Sequence, residues 1–305
     1  MNTDIKRATG LLVIEAVNSN PNGDPDQESD PRQRPNQLGE ITPVSFKRKL
    51  RDLVEDKGGP VWKEMQSQLK LDEKRFGILE SRDTDRGEVI KKLKGDGSEF
   101  LNAYWDARVF GSTFLESGKD DKESSYMKGL KDDEKKQIMK NAIRAGVVQF
   151  GLGISIAPIK IDRFTLTKKS GAEEGKDRGM APHAYRVVQH AIYCMPFFVN
   201  ASMAHKTKCT QQDIELLQKL IPLAYRHNPS LIRPQVEIIH AWYMEHKNIL
   251  GSCSDYELLN ALKPKKQSNP KEASLARDEY DVPNILPKEL DSKISSWVDL
   301  TKLYV

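Results

Sequence analysis

Residues 8–17, ATGLLVIEAV, form an apolar run rich in β-branched residues, closed by the turn-forming stretch NSNPNGDPD at 18–26. The run reads as a buried strand, central in a sheet. Past the turn, Pro43 opens a helical pattern in which Phe46, Leu50, Leu53 and Val54 recur at i, i+4, i+7 and i+8, stopped by Gly58, Gly59 and Pro60. Strand is followed by helix.

Working outward, residues 61–141 hold weaker helical patterns, VWKEMQSQLK and SEFLNAYW among them, separated by mixed-charge stretches such as SGKDDKESSYMKGLKDDEKK. They read as an insertion. From Gly146 the pattern turns extended, VVQFGLGISIAPIKIDRFTLT, and after a glycine-rich gap it resumes with HAIYCMPFFVNASMA, giving two more strands. Thr210 suits an N-cap with Asp213 at N3, and Ile214, Leu217, Ile221 and Ala224 follow at helical spacing, with Pro222 able to kink the helix. QVEIIHAWYMEH, residues 235–246, supplies a last strand. The order strand, helix, strand, strand, helix, strand predicts an α+β, split βαβ (ferredoxin-like, RRM-like) fold, with a large insertion after the first helix and a smaller one between the second and third strands. RNA-recognition modules often use that order, although fold alone does not fix function. From Lys263 the chain is polar and punctuated by Pro264, Pro270, Pro283 and Pro287, which predicts a surface wrap rather than core. No internal repeat is present, so repetition in any working assembly has to come from copies of the chain.

The 305 residues are 30% charged and 38% hydrophobic, enough for one large domain or two small ones. No stretch approaches the roughly 18–20 apolar residues of a membrane helix, and MNTDIKRATG has no signal-peptide core, so a cytoplasmic location and no membrane partner are expected. Cys194, Cys209 and Cys253 are odd in number and form no CxxC pair, which argues against a disulfide framework or cysteine zinc site. The net charge of +4 is modest for a nucleic-acid-binding chain, so any RNA site must come from local clustering.

Clustering is densest in the first helix, where ITPVSFKRKLRDL places Lys47, Arg48, Lys49 and Arg51 within five residues. At about 100° per residue, Lys47, Arg48 and Arg51 share one flank of the apolar stripe and Lys49 falls on the other. Cations beside a buried stripe suit contacts to a phosphate backbone that fix register without reading sequence; a solvated helix face is the alternative. Residues 168–183, KKSGAEEGKDRGMAPH, read as a long hairpin with Lys168, Lys169, Lys176 and Arg178, and with Met180 placed to wedge between stacked bases. A disordered hairpin would look the same, and Glu173, Glu174 and Asp177 weigh that way. In the loop 18–37, Asp24, Asp26 and Asp30 fail the EF-hand spacing and are explained by turn chemistry, whereas Arg32 and Arg34 are candidates for RNA contact. In AYWDARVFGSTF, residues 103–114, Phe110 suits core packing and Arg108 is a further candidate for RNA. GVVQFGLGIS lacks the third glycine of a dinucleotide fingerprint, the histidines show no HExxH spacing, and no GxSxG elbow is present. His240 and His246 fall in a strand pattern and read as structural. No catalytic residue, metal or cofactor is expected.

Together NPNGDPD at 20–26, PVSFKRKLRD at 43–52, YWDARVFGS at 104–112, VQFGLGIS at 148–155, and DRGM leading into AYRVVQHAIY at 177–193 resemble the backbone subunit of type I CRISPR effector complexes, in its type I-C form, within the RAMP superfamily. The resemblance covers roughly residues 8–250. It implies a right-hand shape: a ferredoxin-like palm from 1–56, 142–165 and 187–262, inserted helical fingers at 57–141, a thumb hairpin at 166–186 and a C-terminal extension at 263–305. It also implies a non-catalytic protein whose copies stack helically along a guide RNA (crRNA) and present the spacer for pairing with a target DNA strand. The implied partners are the crRNA, copies of itself, the guide 5′-end-capping subunit, the large and small subunits and a recruited nuclease-helicase. Lys47, Arg48 and Arg51 become palm contacts to phosphates, and Met180 the thumb methionine beside a displaced nucleotide. Two other functions stay open: an RNA-cleaving superfamily member acting through Asp24 or Asp26, and a general single-strand RNA-binding module.

Overall fold

The structure, a computed structural model, describes residues 5–113, 129–168, 181–228 and 230–304, with the side chains of 166–168 and 181–184 outside that description. Its centre is a mixed α/β arrangement on one large antiparallel sheet. The run at residues 8–17 becomes β1 (Ala8–Ser19), and its apolar continuity has a direct cause: it is bonded on both edges and covered on both faces. The remaining strands of the sheet are β2 (Leu38–Ile41), β3 (Val148–Phe150), β4 (Gly153–Pro158), β5 (Ile161–Lys168), β6 (Ala181–Val199), β7 (Val236–His246) and β8 (Ile294–Asp299). They run in the order β8-β7-β1-β6-β4-β2, with β3 and β5 also paired to β6. β1 pairs with β6 from Ala8 opposite Val199 to Ser19 opposite Val188, and with β7 through a shift between Val13 and Ile14.

Period-2 alternation sends Leu12, Ile14 and Ala16 to one face and Leu11 and Val13 to the other. The first face is covered by α1 (Pro43–Glu55), α2 (Pro60–Leu69) and, much later in the chain, α7 (Gln211–Leu220). Thr42 caps α1, its hydroxyl accepting from the Ser45 amide at 3.2 Å, and Pro43 follows at the position that tolerates a missing N–H. Phe46, Leu50, Leu53 and Val54 are all buried. Thr210 and Asp213 form the reciprocal cap of α7, and the helix stops at Leu220, where Pro222 leaves a short 3-10 turn. Gly10 in β1 is required by packing: a Cβ there would lie 2.1 Å from the ring of Phe197.

Between α2 and β3 the chain forms α3 (Arg86–Leu93), α4 (Ser98–Ala103), α5 (Trp105–Phe110) and α6 (Asp132–Ala142). Leu79, Val89, Ile90, Leu93, Phe100, Leu101, Ile138 and Ala142 make a separate apolar cluster. Val61, Trp62 and Met65 of α2 instead join the main core, as do Trp105, Val109 and Phe110 of α5.

Two expectations are corrected. The strand expected through Ala204 ends at Val199; Asn200 caps a 3-10 turn over Ala201–Met203. The C-terminal stretch is not a surface wrap alone. After α8 (Asp255–Leu262), Tyr280, Leu286 and Ile294 are buried with Leu258 and Leu262 against Leu11, Val13, Trp242 and Met244, and β8 adds an edge strand beside β7. The second face of the sheet is apolar, and this segment removes it from water.

Candidate nucleic-acid interface

Helix α1 carries four cations, and the fold treats each differently. Arg48 donates to Asp52 at 2.6 Å, pairs with Glu55 in the same helix and donates to the Glu80 carbonyl outside it, and its side chain stays partly exposed. Arg51 is 3% exposed: its guanidinium bonds Asp106 at 2.9 Å and Glu80 at 3.0 Å and lies over the Phe110 ring. Asp106 in turn accepts from the backbone amides of Leu79 and Glu80, so Arg51 fastens α1 to the inserted helices. Lys47 is half-buried with its Nζ 5.6 Å from the Phe110 ring centre. Burial, and then the nearby Arg51, lower its pKa. Lys49 sits on the opposite flank, buried against Tyr225.

Arg108 corrects its expectation outright. It is fully buried, donates to Asp213 at 2.7 Å and to the Leu101 carbonyl at 2.8 Å, and links the inserted helices to the cap of α7. A guanidinium so neutralised and enclosed has no face left for a phosphate. Arg51 is corrected for the same reason. Both are bolts between elements rather than contacts to a strand.

The loop after β1 is held by its own polar side chains. Asn22 Oδ1 accepts from both the amide and the hydroxyl of Thr42 at 2.8 Å, joining the loop to the start of α1. Asp24 accepts from the Asp26 amide and lies 3.3 Å from Arg32. Arg34 pairs with Glu40 at 2.9 Å. Asp30 is held by Arg163 of β5 and, at 3.1 Å, by Arg186 of β6. Asp24 and Asp30 are thereby engaged with cations, and no group of three metal-ligating side chains occurs among the described residues.

β5 and β6 pair continuously from Ile161 opposite Val188 to Lys168 opposite Ala181, a two-stranded ribbon projecting beyond the sheet. Lys168 closes the described part of it; Lys169, Lys176, Arg178 and Met180 lie outside the described residues. The structure therefore brings together the loop carrying Arg32 and Arg34, the start of α1 and the base of this ribbon. Arg163, Arg186, Tyr225 and Arg233 were not singled out from the sequence. Their significance depends on neighbours distant along the chain, which no local pattern displays. His240 bonds Asp299 at 2.7 Å, and His246 is enclosed by Thr9, Ser252 and Asp255. No helix among the described residues is long and apolar enough to cross a membrane.

The family profile described as CRISPR-associated protein Cas7 matches residues 6–283. A curated CRISPR-associated protein Cas7 from Haloferax volcanii is 29% identical over 230 residues, covering 72% of this chain and 64% of its own length. Among solved structures, a chain of a "CRISPR RNA-guided surveillance complex, pre-nicking" aligns with a TM-score of 0.40 at 14% identity, over 77% of each chain. A chain of a "CRISPR RNA-guided surveillance complex" aligns with a TM-score of 0.35 at 12% identity, over 76% of this chain and 68% of its own.

Proposed function

Because this chain belongs to the CRISPR-associated protein Cas7 family, we propose that it is the crRNA-binding backbone subunit of a type I surveillance complex, of the I-C form, whose copies coat the guide. The observation that carries this reading is the family match itself, which spans residues 6–283, from β1 through the inserted helices and the ribbon to β7 and α8. The sheet order supports a ferredoxin-like palm: β7-β1-β6-β4 is the fourth-first-third-second arrangement of a split βαβ. On this reading residues 57–141 are the fingers, 166–186 the thumb and 263–305 an extension that completes the palm's second face.

A coat that serves any spacer must hold phosphates and shape while leaving base edges free to pair with target DNA. Lys47, Arg48, Arg32 and Arg34 supply cations around the start of α1, and Lys168, Lys169, Lys176, Arg178 and Met180 act from the thumb. Arg48, Arg32 and Arg34 would exchange or share their present carboxylate partners for phosphate; Lys47 has none to exchange among the described residues. The protein works without catalysis, in the cytoplasm, alongside the capping, large and small subunits and a recruited nuclease-helicase.

The test is binding of purified chain to single-stranded RNAs of unrelated sequence across a salt series. Equal affinities that fall steeply with salt support the proposal. Cleavage of the RNA in the presence of a divalent metal, abolished by Asp24→Ala, would replace it with the nuclease reading.

A further inference from the structure

The flank of α1 opposite Lys47 holds an unusual arrangement of charge. Lys49 is 7% exposed, and its Nζ lies 5.3 Å from the centre of the Tyr225 ring. Among the described residues it has no carboxylate oxygen within 4.0 Å, and neither does Arg233 nearby. The Nε of Arg233 and the hydroxyl of Tyr225 are both buried without a hydrogen-bond partner. Taking an ammonium such as that of Lys49 out of water is costly unless an opposite charge compensates. Two residues away on the same helix the fold provides that compensation for Arg51 through Asp106 and Glu80. At Lys49 it does not.

The arrangement is held in place rather than left loose. Asn228 donates to the Lys49 carbonyl at 3.1 Å, the Asn20 amide to Ile232 at 2.7 Å and the Val17 amide to Gln235 at 3.0 Å, which pins this connection to α1 and to the end of β1. Tyr225 and Arg233 line a cleft of about 350 Å³, with Arg226 and Glu237 at its rim, themselves 3.8 Å apart.

We propose that Lys49, Arg233 and Tyr225 form a seat for one phosphate of a bound single-stranded nucleic acid, on the opposite side of α1 from Lys47. A phosphodiester carries one negative charge and accepting oxygens, which match two cations and an unused hydroxyl donor. The Asn20–Ile232 bond ties the connection that carries Arg233 to the loop after β1, which holds Arg32 and Arg34. The inference rests on the RNA-binding reading above and adds residues to it. The charged groups facing Lys49 are Arg233 and Asp52. Burial and then the neighbouring Arg233 hold its pKa down at about 8, and a seated phosphate would raise it again.

The experiment uses the full chain, Lys49→Met and Arg233→Gln, each titrated with fluorescein-labelled single-stranded RNA across a salt series and melted with and without inorganic phosphate. Each variant is expected to weaken RNA binding roughly tenfold and to lower the log–log salt slope by about 0.7. Lys49→Met is expected to melt no lower than the parent, because it removes a buried uncompensated charge. Arg233→Gln, at a half-exposed loop position, guards against a folding artefact. RNA binding with unchanged affinity and slope in both variants overturns the seat, as does weakening confined to Lys49→Met together with a lowered Tm. A parent chain that binds no RNA overturns the functional reading instead. In that event a phosphate-dependent rise in Tm, lost in both variants, is needed to keep the seat, and its absence removes the seat as well.

Discussion

Lys49 and Arg51 stand two residues apart on α1 and are almost equally hidden, 7% and 3% exposed, yet only Arg51 is given carboxylates. The energetic consequence for Lys49 follows from its pKa, lowered from 10.5 to about 8. The unfolded chain then binds more protons than the folded one between those values, so stability rises as pH increases through that window. Lys49→Met should remove the rise and leave the protein at neutral pH more stable, by up to about 3 kcal/mol, in urea titrations. Glu15 shows the opposite sign. Burial would raise its pKa, but hydrogen bonds from His190 and Arg277 outweigh it and hold the carboxylate at about 2, below its ordinary 4.5. Its contribution is complete above pH 4.5 and is lost as pH falls toward 2. Glu15→Gln should flatten stability between pH 5 and 2 by on the order of 3 kcal/mol, measured by denaturant unfolding. Neither property is visible in local sequence: Glu15 depends on residues 175 and 262 positions away, and Lys49 on Tyr225 and Arg233, far along the chain.

Among elements, the inserted helices are joined to the sheet's helical layer by two buried ion pairs, Arg51–Asp106 and Arg108–Asp213. Removing one partner of such a pair leaves the other charge buried and uncompensated. Arg108→Ala should cost about 3–5 kcal/mol and lower Tm, because it leaves the Asp213 carboxylate buried without its counter-charge in the cap of α7 as well as breaking the link. Unchanged thermal unfolding would refute that role. β1, α1, α7 and β7 were all readable from the sequence, because each has a strong period or clear boundary residues: an uninterrupted apolar run, a Pro43 start and a Thr210–Asp213 cap. β8 was not. Only Ile294 and Asp299 of its six residues are buried, so ISSWVD has no strand alternation, and its place is decided by the open edge of β7. The two bolts were equally hidden, since Arg51 and Asp106 are 55 residues apart and Arg108 and Asp213 are 105. A cation in a basic helix looks the same in sequence whether it meets a phosphate or a distant carboxylate.

For the molecule as a whole, a net charge of +4 does not make a nucleic-acid-binding surface by itself. The fold brings the loop of Arg32 and Arg34 against the start of α1 and the base of the β5–β6 ribbon, while carboxylates neutralise the cations Arg51 and Arg108 that join elements. A surface that holds phosphates without reading bases has no reason to prefer one sequence, and a chain without internal repeats covers a long strand only through added copies. Native mass spectrometry of the purified chain with single-stranded RNAs of two lengths and unrelated sequences tests this most directly. The account predicts intact RNA carrying a number of copies that rises in proportion to length and is the same for every sequence. One copy regardless of length, a count that depends on sequence, or a cut strand would contradict it.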